Sequence, residues 1–82
     1  MQPSPELEQH LEKYGVVTRD PASEQYFSAI VNIAINEYHI SVKDIAEKCS
    51  CSFPTVERWA KGISAPAVQM RPFVLEWLVE RM

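Results

Sequence analysis

With Gly15 and Gly62 as its only glycines, the chain has no glycine-rich loop with which to cradle a nucleotide's phosphates. Its two cysteines, Cys49 and Cys51, stand one residue apart, too close for a relaxed disulfide with each other. A Cys-x-Cys pair supplies only part of a closed zinc site, and His10 and His39, the sole histidines, are not at ligand spacing. No metal and no cofactor are therefore expected, and both cysteines read as small reduced core fillers. Scattered acids and two histidines in separate segments give no nucleophile–base pair, so enzymatic activity is not expected. No apolar run approaches the ~20 residues of a membrane span, and the polar, acidic stretch Met1–Glu8 predicts a cytoplasmic protein without a secretory leader.

What is present is one ordinary core. Of 82 residues 46% are hydrophobic and the net charge is only -3, which disfavours disorder. A chain of this size buries roughly 60–65% of its unfolded surface, enough for a single domain, 1–82, of modest stability. The charge is unevenly spread. Residues 1–42 carry six acids and two bases, whereas Lys43, Lys48, Arg58, Lys61 and Arg71 outnumber Asp44, Glu47 and Glu57 over 43–71. Positive charge therefore gathers in the middle of an acidic chain, where a polyanion would have to bind.

Helix punctuation recurs along the sequence. Ser4-Pro5 opens an acidic amphipathic helix in which Leu7, Leu11 and Tyr14 share a face, and Gly15 stops it. This helix and its connector make up an N-terminal segment, 1–19. Asp20-Pro21 predicts the start of a second helix over 22–38, with Tyr26, Ile30, Val31, Ala34 and Tyr38 at helical spacing. It is the most apolar helix and should be the central one. Ser41 caps a third, with Asp44 placed to complete a capping box. Ser50-Cys51-Ser52 makes a turn, and a fourth helix ends at Gly62. Residues 66–70 read as a turn or short helix. Arg71-Pro72 opens a last apolar helix over 72–82 that includes Phe73, Val74, Leu75, Trp77, Leu78, Val79 and Met82. The fold class is all-α.

The segment 41–62 carries the functional signal. Ile45, Ala46, Cys51, Val56 and Trp59 fall where two crossed helices must touch, and Ala46 must be small because the second helix passes over it. With Val56 at the centre of the buried face, about 100° per residue places Phe53, Trp59 and Ala60 beside it. Pro54, Arg58 and Lys61 then point outward, flanked by Thr55 and Glu57.

This pattern, Ile45-Ala46, Ser50-Cys51-Ser52, Val56, Trp59, Gly62 and Pro66, resembles the helix-turn-helix of the phage-repressor (Xre-like) DNA-binding family. The resemblance covers about a third of the chain. It implies a small five-helix bundle of lambda-repressor-like architecture with a central helix-turn-helix, whose second helix enters the major groove. By matching position it nominates Ser52, Phe53, Pro54, Thr55, Glu57, Arg58 and Lys61 for DNA contact. Arg58 would face guanine O6/N7 and Glu57 cytosine N4. Lys43 and Lys61, with the amides that open the third helix, would take phosphates. Where the family usually has glycine at the turn this chain has Ser50, so a left-handed, mildly strained residue is expected there.

Double-stranded DNA is thus the expected partner, bound by a transcriptional repressor acting as a homodimer. Spanning two half-sites needs two copies, and Phe73, Trp77 and Met82 are the residues expected at the two-fold contact. A protein-binding module on the same fold is the alternative: a phage-type inhibitor or adaptor, or an antitoxin-like accessory protein. It is motivated by the net negative charge and by Phe53 and Pro54, which bring no side-chain donors to the outward face.

Overall fold

The computed structural model describes residues 4–82, so the first three residues of segment 1–19 lie outside it. Five helices follow in chain order: α1 (Pro5–Lys13), α2 (Glu24–Asn36), α3 (Val42–Cys49), α4 (Phe53–Ala60) and α5 (Arg71–Arg81). No strand occurs among the described residues. None of the helices is long and apolar enough to cross a membrane.

Serine hydroxyls set four of the five starts. Ser4, Ser23, Ser41 and Ser52 each accept from an amide in the first turn of the helix they precede, a donor that has no intrahelical partner. The expected start of α2 at Asp20-Pro21 is corrected. Asp20 Oδ1 accepts from the Ala22 amide at 3.0 Å and its carbonyl accepts from Ser23 N at 2.9 Å, making a turn. Ser23, three residues on, then caps the helix. At the other end α2 stops at Asn36, and Tyr38 lies beyond it, its amide donating to Ile33 O at 3.3 Å. The capping box at α3 does not form: Ser41 Oγ accepts from Lys43 and Asp44 amides, but the exposed Asp44 carboxylate makes no return bond.

Apolar spacing on α2 covers nearly its whole circumference, and the helix sits where that demands. It packs against α1, α4 and α5, while α3 packs on α4. Tyr26, Phe27, Ile30, Val31, Ile33 and Ala34 are fully buried. Leu7 and Leu11 of α1, Ile45 and Ala46 of α3, Val56 and Trp59 of α4, and Val74, Leu75 and Leu78 of α5 close around them. Trp59 meets Phe27 edge to face, centroids 5.5 Å apart, a geometry that adds about 0.5–1.5 kcal/mol beyond its buried area.

Arg71 departs from expectation most. It is not a surface cation but lies 8% exposed at the start of α5. Its Nε donates to Pro66 O at 2.9 Å and a terminal nitrogen donates to Ala22 O, with Glu24 3.6 Å away. The guanidinium thereby stitches the 66–70 turn and α5 to the turn before α2. A buried charge is tolerated there because its donors are occupied.

Candidate nucleic-acid interface

The junction between α3 and α4 is held by backbone geometry. Ser50 adopts the left-handed conformation (φ 54, ψ 45), as its position predicts. Its amide and the Cys51 amide fold back onto Glu47 and Ala46 carbonyls at 3.3 and 3.0 Å, which ends α3 and starts the crossing helix. Ala46 is 2% exposed beneath α4. Cys49 and Cys51 are free and half-buried, and burial pushes both thiols above their ordinary value, so they stay protonated fillers.

The far end of α4 is fixed to α2. The Ala60 carbonyl accepts from Ser28 Oγ at 3.2 Å and Asn32 Nδ2 at 3.4 Å. Gly62 follows with φ 75, and a Cβ there would stand 3.3 Å from Ser28 Oγ, so both conformation and space favour glycine. Ser28 and Asn32 were not anticipated as positioning residues. Their signal was the polar stripe Ser28, Asn32, Asn36 at steps of four on an otherwise apolar helix.

Anchored at both ends by Val56 and Trp59, α4 leaves Pro54, Glu57, Arg58 and Lys61 exposed. Along one edge runs a hydrogen-bonded ladder. Arg58 donates to Thr55 Oγ1 at 3.3 Å, and the Thr55 and Ser52 hydroxyls bond at 2.9 Å. Ser52 Oγ also accepts from the Thr55 amide. Ser52 is thus first a cap, and Thr55 first a brace for Arg58. Neither Arg58, Lys61 nor Lys43 forms an ion pair among the described residues. The amides expected to take phosphate at the start of α3 are partly occupied, because Lys43 and Asp44 N–H groups already donate to Ser41.

Helical spacing sets Phe53 at the edge of the buried face while the resemblance nominates it for contact; at the first position of α4 it is 51% exposed. The charge balance changes. With Arg71 withdrawn into the fold, Lys43, Lys48, Arg58 and Lys61 face Asp44, Glu47 and Glu57 at the surface. Lys48 moreover belongs to a different face, on a groove of about 370 Å³ that it shares with Phe73, Trp77, Glu76 and Glu80. The outward side of α4 retains Arg58 and Lys61 against Glu57.

The residues expected at a two-fold contact are divided. Phe73 is 66% exposed, whereas Trp77 and Met82 are half-buried and Trp77 is covered by its own helix. Arg81 lies 3.9 Å over the Trp77 ring and donates to Trp77 O at 3.1 Å. The buried stripe of α5 is instead Val74, Leu75 and Leu78. Among the described residues no group of three His, Cys, Asp or Glu could hold a metal ion. No protein-family model, no curated protein and no solved structure matches this chain.

Proposed function

We propose that the protein is a sequence-specific double-stranded DNA-binding regulator of transcription, a cytoplasmic repressor acting as a homodimer, with α4 in the major groove. The observation that supports it most is the outward face of α4. Arg58 stands exposed, paired with no carboxylate among the described residues and held by Thr55, while Val56 and Trp59 fix the helix beneath it. An arginine presented in one orientation suits bidentate donation to guanine. Lys43 at the start of α3 and Lys61 at the end of α4 flank it as phosphate contacts.

Modest surface charge means that affinity must come from specific contacts more than from bulk attraction. The test is an electrophoretic shift against a randomised duplex pool, followed by salt titration of the enriched site. An enriched palindrome, with log K falling against log[salt] at a slope near -3.6 per protomer for about four phosphates, supports the proposal. No enrichment, or binding indifferent to salt, contradicts it.

A second reading is favoured by the exposure of Phe53, Phe73 and Met70 in a chain of net charge -3. These would serve a protein partner, as an inhibitor, adaptor or antitoxin-like accessory would need. Loss of partner capture in Phe53→Ala with no duplex binding by the parent protein would select this alternative.

A further inference from the structure

We propose that Phe53 reads the C5-methyl group of a thymine, which makes the first turn of α4 a sensor of pyrimidine methylation state at one position. This rests on the duplex-binding proposal above. Phe53 is the large apolar residue of α4 that the fold leaves uncovered, since Val56 and Trp59 are 0% and 5% exposed and Phe53 is 51% exposed. Pro54 follows it, exposed and with no N–H to give. The next amide, that of Thr55, already donates to Ser52 at 3.3 Å, and the Thr55 hydroxyl is engaged by Ser52 and Arg58. The Phe53 and Pro54 side chains at the tip therefore present carbon alone.

In the major groove guanine and adenine edges present chiefly donors and acceptors, cytosine an amine beside a bare C5–H, and the thymine methyl is the feature that most rewards apolar contact. Phe53 pressed onto N7, O6 or an exocyclic amine would strip water from a polar atom without replacing its bond. The ring thus favours thymine and disfavours the other bases at once. Glu57, one helical turn from Phe53 and exposed, is the adjacent acceptor for an amino group such as cytosine N4. Division of labour follows along the helix: Phe53 takes a methyl, Glu57 an amine, and Arg58 a guanine edge.

Deoxyuridine keeps the pairing of thymine and lacks only the methyl, so the experiment replaces each thymine of the pool-selected duplex in turn. The expected result is about fourfold weaker binding at one thymine per half-site, the equivalent of one buried methyl. That sensitivity should vanish in Phe53→Ala and persist in Phe53→Leu, with circular dichroism confirming the fold of each. If every deoxyuridine duplex binds the parent protein as tightly as the thymine duplex, the methyl assignment is overturned while DNA binding stands. If no duplex is selected at all, both fall together. Should Phe53→Ala bind the duplex normally but lose a protein partner, the ring belongs to that partner and the assignment is again overturned. Because the deoxyuridine series is run on the parent protein, a poorly folded variant would leave the decision intact.

Discussion

The guanidinium of Arg71 donates to the backbone carbonyl of Ala22, joining the first residue of α5 to the turn that precedes α2. With Pro66 O as its second acceptor, it also ties in the turn that leads into α5. Arg71→Met should therefore strand two carbonyls and destabilise by about 2–3 kcal/mol in chemical denaturation. Glu24→Gln should change little, because that carboxylate is 75% exposed and its ion pair with Arg71 is screened.

Arg58→Ala is expected to cost ~1–3 kcal/mol of specific duplex binding and relax discrimination at one base pair. Thr55→Val keeps the shape and removes the brace, so it should weaken the same contact by about 0.5–1.5 kcal/mol without altering which base is preferred. Isothermal titration against the selected site and its single-base variants reads both. Equal affinities for parent and Arg58→Ala would remove Arg58 from the interface.

The ion pair between α1 and its connector sets an acid limb. Arg19 donates to both Glu8 oxygens at 2.9 and 2.8 Å, and these hydrogen bonds hold the Glu8 carboxyl below its ordinary value of 4.5. A carboxylate with a depressed folded value stabilises above its unfolded value, and that contribution is lost as pH falls below it. Thermal unfolding across pH should show Glu8→Gln less stable than the parent at neutral pH, the gap closing in acid. On the alkaline side the sign reverses. Burial raises Cys49, Cys51 and Tyr26, so the fold retains protons that the unfolded chain releases, and stability should fall as pH climbs past 9.0.

Ser50 occupies a conformation that suits glycine, and its side chain is exposed. Ser50→Gly should stabilise by about 0.5–1 kcal/mol, measured as a higher denaturation midpoint at unchanged m-value. A lower midpoint would mean that the Ser50 hydroxyl makes a contribution its geometry does not reveal.

Phe73→Glu should leave the fold intact, because the ring is 66% exposed, and should convert a solution dimer to monomer in sedimentation. Trp77→Ala is expected to act on the protomer itself, since the ring is half-buried against the core and covered on one face by Arg81. A dimer untouched by Phe73→Glu would move the two-fold contact elsewhere.

Elements were legible in the sequence where spacing and punctuation coincided. Val56 and Trp59 fixed the buried side of α4, and Ser41, Ser52 and Gly62 marked its neighbourhood, because caps and left-handed stops act through a few local atoms. The start of α2 was misplaced because two capping signals, Asp20 and Ser23, stand three residues apart and only tertiary packing selects between them. Arg71, counted among the surface cations, is buried for a related reason. One of its two acceptors, Ala22 O, lies on a segment remote in sequence, which no local pattern announces. The Ser52–Thr55–Arg58 ladder was within reach, its members being spaced by three, but side-chain rotamers decide whether such a row connects.

The eight-residue length of both α3 and α4 carries a last implication. Isolated segments so short do not hold helical form in water, and Trp59 relies on Phe27 for its seat. An excised peptide spanning 41–62 would accordingly be a coil, and any competence of that pair is the property of the intact cooperative unit, switched off whenever α2 melts.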